Sequence, residues 1–274
     1  MIILDGKRLS KKILKSLKKE IVTQNLKLKL GVVQVGKNKI SDIYIAKKRE
    51  ACEQLGIEFE LWRFPARITT EELAAKVGVI SQKQDISGAI IQLPLPKSVN
   101  TQAVLNAVPL KKDVDCLSDA ALARLRSKTS LILPPVVGAV SWLLKEYKIS
   151  LKGKNIVLVG RGRLVGKPLE IWLTSQGFAV SVLNRSTPSI AAFTKKADTL
   201  ISGVGKASLI TGSMVKRGAI VFDVGSSVKN RKAVGDIDFK TVSKKAGYLT
   251  PVPGGIGPLT VICLLENLVK LKRK

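Results

Sequence analysis

In the stretch SDIYIAKKREACEQLG, residues 41–56, a tyrosine and a lysine stand four positions apart. If the segment is helical, Tyr44 and Lys48 share one face about one turn apart, and Ser41 is placed to cap the start. An amine so placed can move a proton if part of it is neutral near pH 7. Burial and the flanking cations Lys47 and Arg49 would both lower its pKa. The chain has no histidine. Imidazole catalysis and the commonest metal ligand are therefore excluded, and acid–base work falls to Lys, Tyr, Asp or Glu. On spacing alone, a surface helix carrying a chance Tyr and Lys explains the pair equally well.

A second candidate lies in LVGRGRLVGKP, residues 158–168, directly after the apolar run Ile156–Val159. A strand, a glycine turn and a helix can hold a pyrophosphate on the unpaired N–H groups of the helix N-terminus. Gly160 and Gly162 would allow the turn and a close approach, and Gly166 close packing. The spacing G-x-G-x-x-x-G is one residue longer than the common dinucleotide fingerprint, and a tight turn that holds nothing is the competing reading. An NAD site usually places an acid about 20 residues past the loop. Here the next apolar run ends in Asn184, Arg185, Ser186 and Thr187, while Arg161 and Arg163 lie in the loop itself. Cations and a hydroxyl in that place suit the 2′-phosphate of NADP.

The elements that must carry these groups alternate. Apolar runs at 30–35, 57–64, 86–93, 155–160, 179–183, 198–202 and 219–224 read as strands. Segments 10–25, 41–55, 70–82, 98–107, 136–147, 164–176 and 257–272 read as helices. Such alternation predicts βαβ units and a mostly parallel sheet. A composition of 45% apolar but only 4% aromatic residues, in a chain of 274, suits helices covering a Val/Ile/Leu sheet. KISLKGKN (148–155) is a natural approach to a second domain, and LTPVPGGIGPLT (249–260) is too rich in Pro and Gly to be regular.

The net charge is +27, which raises the question of nucleic acid. The cations are dispersed, however. Helix 10–25 sets Ile13, Leu14, Leu17 and Ile21 against a lysine face, as any amphipathic surface helix does, and few aromatics are present on which bases could stack. A solvated surface, or a field that gathers anionic small molecules, is expected in place of specific nucleic-acid binding. Cys52, Cys116 and Cys263 are odd in number and far apart, as in a reducing cytoplasm, and suggest neither a disulfide framework nor a metal site. No apolar run approaches the ~18 residues of a membrane span, and the start lacks the pattern of a secretory signal.

Taken in order, several segments resemble the bifunctional methylenetetrahydrofolate dehydrogenase/cyclohydrolase family. They are SDIYIAKKREACEQLGI, GAIIQLPLP (88–96), KKDVD (111–115), VGRGRLVGKP, GAIVFDVG (218–225) and TPVPGGIGPLT (250–260). Short-chain dehydrogenases also carry a Tyr–Lys pair, but after their glycine loop, the reverse of the order here. The resemblance implies two α/β domains with a cleft between them. One is an N-terminal folate-binding, catalytic domain over 1–136, with helix 257–274 packing back on it. The other is a Rossmann-like NADP domain over 137–256. It further implies a homodimer, and oxidation of 5,10-methylenetetrahydrofolate by NADP followed by hydrolysis of the methenyl product to 10-formyltetrahydrofolate. Carried over by position, Lys48 is the acid–base group, Gln92 its partner, and Tyr44 and Asp115 complete the catalytic set. Tyr44, Leu93, Asp115, Pro253, Gly254, Gly255 and Pro258 would meet the folate. Gly160, Arg161, Gly162, Val165, Gly166, Arg185 and Ser186 would meet the cofactor. The chain departs from the family pattern at Cys116-Leu117-Ser118, at LPPVVG (133–138), at Gly162 and at GSS (225–227). Cys116 is expected to fill space rather than to act as a nucleophile. Short-chain oxidoreductase and basic nucleic-acid-binding protein are the alternatives. The second would need neither Lys48 nor Gln92.

Overall fold

A computed structural model describes residues 1–229 and 232–273. Asn230, Arg231 and Lys274, which fall within the expected domain ranges, lie outside the described residues. In chain order the elements begin with β1 (Ile2–Ile3), α1 (Gly6–Thr23), β2 (Lys29–Val35), α2 (Lys39–Leu55), β3 (Glu58–Phe64) and α3 (Thr70–Gln82). Next come β4 (Gly88–Ile91), α4 (Thr101–Asn106), α5 (Asp119–Arg126), α6 (Pro135–Glu146), β5 (Ile156–Val159), α7 (Gly166–Ser175) and β6 (Val180–Leu183). The remainder are α8 (Ile190–Thr194), β7 (Thr199–Ser202), β8 (Ile220–Asp223), β9 (Ser227–Lys229), β10 (Lys232–Val234), α9 (Phe239–Val242), β11 (Tyr248–Leu249) and α10 (Ile256–Lys270).

These form two compact α/β units, one of Met1–Lys11 with Val136–Thr260, the other of Lys12–Pro135 with the residues from Val261 on. The latter holds a three-stranded parallel sheet in the order β3-β2-β4. Val33, Leu73, Val77, Ile86 and Ile91 share its core. The former holds a six-stranded parallel sheet in the order β1-β11-β8-β7-β5-β6, over a core that includes Val157, Leu200, Val221 and Leu249. Strands β5, β7 and β8 are buried throughout their length, which is why they read as continuous apolar runs.

The first eleven residues depart from the expected 1–136 domain. Ile2 and Ile3 pair with Tyr248 and Leu249, and Lys7 N–H donates to Gly254 O at 2.7 Å. Two residues of strand are too short to give a periodic signal, so the sequence does not announce this stitch. Helix α1 also starts earlier than expected, because the Asp5 side chain accepts from Arg8 N–H at 2.8 Å and caps it. Ser41 is not the cap of α2. Asn38 is, accepting at 3.0 Å from both Ile40 and Ser41 N–H. The helix ends at Gly56, whose φ of 71° is the left-handed stop that favours glycine. No described helix is long and apolar enough to cross a membrane.

Candidate active site

Lys48 projects from α2 toward the end of β4, where its Nζ donates to Gln92 Oε1 at 2.8 Å. Gln92 is itself fixed. Its backbone N–H donates to Val33 O at 2.8 Å, and its Nε2 donates to Leu93 O at 2.9 Å, which leaves Oε1 turned to the lysine. Ser41 lies inside α2, and its hydroxyl donates to the same Leu93 carbonyl at 3.4 Å. The helix and the QLPLP turn are thereby tied at two points. Tyr44 is half-buried on the same helix.

Asp115 enters from the segment after α4. Ala89 bridges to Asp113 beside β4. The Asp113 carboxylate accepts from Ser118 N–H at 2.9 Å, and Cys116 takes a left-handed φ of 55°. From α10, Asn267 Nδ2 donates to Val114 O at 2.8 Å and Leu133 O at 2.7 Å, pinning the residue before Asp115. Cys116 packs with Ala121 and Ile132, and burial pushes its thiol pKa up, which suits a side chain that fills space and disfavours the thiolate.

The electrostatics follow from this packing. Burial lowers the Lys48 pKa, against the opposing pull of Asp115 and Cys52. Burial raises Asp115 to about 6, with Lys48 working against the rise and Asp113 adding to it. The expected help from Lys47 and Arg49 does not come. Lys47 Nζ sits 5.6 Å from the centre of the Tyr44 ring, and the Arg49 guanidinium 4.9 Å from that of Phe59. Adjacent helical residues point about 100° apart, so neither needs to face Lys48.

In the other unit, β5 leads through the glycine loop into α7. Gly160 has φ 100° and donates its N–H to Leu183 O at 2.8 Å. A Cβ on Gly166 would collide with Gly160 O, so the turn closes only with glycine there. Gly162 differs from expectation. A Cβ there would meet nothing within 4 Å, so neither turn nor packing demands it. Helix α7 begins without a side-chain cap, which leaves its N-terminus available to an anion. This cradle fits a dinucleotide pyrophosphate. Arg161 is engaged by Glu170 through Nε at 2.7 Å and Nη2 at 3.0 Å. Arg185 and Ser186 are exposed at the end of β6, in a turn where Ser186 N–H donates to Asn184 Oδ1 at 2.8 Å.

The PVPGG segment is built tightly. Gly254 has φ 108°, a Cβ on Gly255 would come within 2.8 Å of Thr250 Cβ, and one on Gly6 would strike Gly255 O. Pro253 is exposed, and Pro258 lies in the first turn of α10.

A parallel α/β unit with a glycine cradle, in a chain whose other unit presents a half-buried Lys–Gln pair, defines a nucleotide-dependent enzyme class. The comparisons with known proteins narrow it. Residues 4–115 match the family described as Tetrahydrofolate dehydrogenase/cyclohydrolase, catalytic domain, and residues 119–274 its NAD(P)-binding domain. The chain belongs to the tetrahydrofolate dehydrogenase/cyclohydrolase family. It is 43% identical over 274 residues to Bifunctional protein FolD of Nautilia profundicola, covering 98% of this chain and 96% of that one. It is similar to the crystal structure of the bifunctional FolD methylenetetrahydrofolate dehydrogenase/cyclohydrolase of Campylobacter jejuni, with a TM-score of 0.93 at 38% identity, covering 99% and 98% of the two chains. The Trypanosoma brucei enzyme, complexed with NADP cofactor and inhibitor, gives a TM-score of 0.93 at 32% identity, covering 99% and 97%.

Proposed function

We propose that this protein oxidises 5,10-methylenetetrahydrofolate to the 5,10-methenyl cation with NADP and hydrolyses that cation to 10-formyltetrahydrofolate. The observation that carries the reading is the Lys48–Gln92 contact of 2.8 Å, supplied by two segments 44 positions apart within a chain of this family. When bound, NADP accepts a hydride. The protein's part in that step is alignment, because loss of hydride from the methylene carbon leaves a nitrogen-stabilised cation and no alcohol proton to remove. Hydrolysis does need proton transfer. Lys48, lowered by burial, takes a proton from the attacking water and returns one as the ring opens. Gln92 Oε1 holds the amine in place. Asp115 grips the folate and keeps a negative charge near Lys48, while Tyr44 and Leu93 line the substrate site.

Gly160, Gly162, Val165, Gly166 and the start of α7 hold the cofactor's pyrophosphate. Arg185 and Ser186 read the 2′-phosphate. Arg161 is the weaker candidate for that contact, because Glu170 already holds its Nε and Nη2. We place the protein in the cytoplasm as a homodimer without specific nucleic-acid partners. That placement rests on the family resemblance, the three free cysteines and the dispersal of the lysines.

One assay tests the function. The protein is mixed with methylenetetrahydrofolate and NADP, and the methenyl absorbance is followed as it rises and then decays. Absence of both phases sinks the reading, and a rise without an enzymatic decay removes the hydrolase half.

A further inference from the structure

Two aspartates that this chemistry leaves unused lie beside the glycine loop. Asp223 ends β8 and Asp236 follows β10, and their exposures are only 3% and 0%. Asp236 Oδ2 accepts from Ser202 Oγ at 2.8 Å and from Val204 N–H at 2.6 Å, and its Oδ1 accepts from Lys206 N–H at 2.8 Å. Asp223 Oδ1 accepts from Gly225 and Asp236 N–H, and Oδ2 from Ile237 N–H, each at 3.0 Å. The chain closes tightly around both carboxylates: a Cβ on Gly225 would strike Asp236, and one on Gly235 would strike Asp223.

The acids therefore act in series. Asp223 fixes the backbone at 236–237, and the Asp236 side chain fixes the loop after β7. That loop is the wall of the glycine cradle. Gly203 N–H donates to Val159 O at 2.9 Å, Gly203 O is 2.9 Å from where a Cβ of Gly160 would stand, and a Cβ on Gly203 would run into Val165. We propose that Asp236, backed by Asp223, is a positioning residue for cofactor binding, clamping residues 202–206 so that Gly160 and Val165 hold the dinucleotide-binding shape. Nothing in the sequence near the glycine loop marks it, because the acid comes 34 positions after the hydroxyl that it grips. The proposal rests on the reading of that loop as the NADP site.

Asp236→Asn keeps the shape but turns an amide N–H₂ toward groups that are all donors. In the protein without cofactor, hydrogen exchange at Val204 and Lys206 should accelerate about tenfold or more, while amides of β5 keep their protection. The Kd for NADP of the folded protein should rise about tenfold or more, the loss expected for charge-assisted bonds. Binding of a tetrahydrofolate analogue should stay unchanged. Ser202→Ala removes only the hydroxyl donor, and should move exchange and Kd in the same direction by less, so a poorly folding Asp236→Asn still leaves a decisive test. Unchanged exchange at 204 and 206 overturns the clamp. Altered exchange with unchanged NADP affinity overturns its role in cofactor binding. Wild-type protein that binds no NADP overturns the cofactor reading, and this role with it.

Discussion

At the scale of single residues, the proposed mechanism makes hydrolysis depend on the amine of Lys48. Lys48→Met keeps a similar stem and removes the charge, so fold and NADP binding should survive while hydrolysis of the methenyl cation falls about 10²–10⁴-fold. Hydride transfer should suffer less, as it needs no proton relay. Gln92→Ala frees the amine from its anchor and should lower hydrolysis in the same direction by less. Single-turnover rates for the two steps, measured separately, check both. The pH dependence has a definite sign. Asp115, raised to about 6, is ionised above that pH and opposes the burial that lowers Lys48. As pH falls through about 6 the aspartate gains a proton, and the amine loses the anion that favours its charged form. Asp115→Asn removes that anion at every pH, so the limb of the hydrolysis profile set by Lys48 should move to lower pH. A profile that does not move would break the electrostatic link. The Tyr–Lys spacing alone left the pair ambiguous, and the QLPLP motif pointed to Gln92. The orientation of Lys47 and Arg49 was not legible, since it depends on which aromatic rings stand beside α2. Asn267 went unnoticed for a similar reason, its two carbonyl partners lying 153 and 134 positions away.

Among elements, the glycine loop separates required from permitted glycines. Gly166→Ala would force its Cβ into Gly160 O and within 2.6 Å of Arg161 Cα, and should cost about 1–3 kcal/mol in stability and raise KM for NADP. Gly162→Ala meets open space and should change stability by less than about 0.5 kcal/mol. Denaturant melts of the two variants make the comparison, and equal losses would mean that the loop closes differently. In the turn after β6, Arg185→Asp should raise KM for NADP about 10- to 150-fold and leave NAD little affected, the equivalent of a charge-assisted contact of roughly 1.5–3 kcal/mol. Equal effects on both cofactors would move the 2′-phosphate contact elsewhere. Strands β5, β7 and β8 were readable because they are buried along their whole length and therefore largely apolar. The short elements α5, α8, α9, β1 and β11 were not, since two to eight residues give too few periods to stand out. The start of α2 was misplaced because two residues in this stretch can cap. Asn38 reaches the first-turn N–H groups, while the hydroxyl of Ser41 is taken up by Leu93 O.

For the molecule as a whole, +27 charges spread over 274 residues act as a field. Raising salt from about 0.05 to 0.3 M shortens the screening length, and should weaken capture of NADP several-fold while raising Tm, since self-repulsion is relieved. Duplex DNA should be bound without sequence preference and released at physiological salt. Tight, selective DNA binding at about 0.15 M would contradict this. Charge was legible from composition and the α/β class from alternation, but the grouping of the first eleven residues was not, because pairing partners at opposite ends of a chain share no local pattern. That pairing matters for synthesis. On a ribosome adding about 5–20 residues per second, β1 emerges early but waits roughly ten to fifty seconds for β11. By then β2, β3 and β4 have all emerged, while Ile2 and Ile3 still lack the strand they pair with. A nascent chain stalled before Tyr248 should therefore leave the β1 amides unprotected, and extension past Leu249 should protect them.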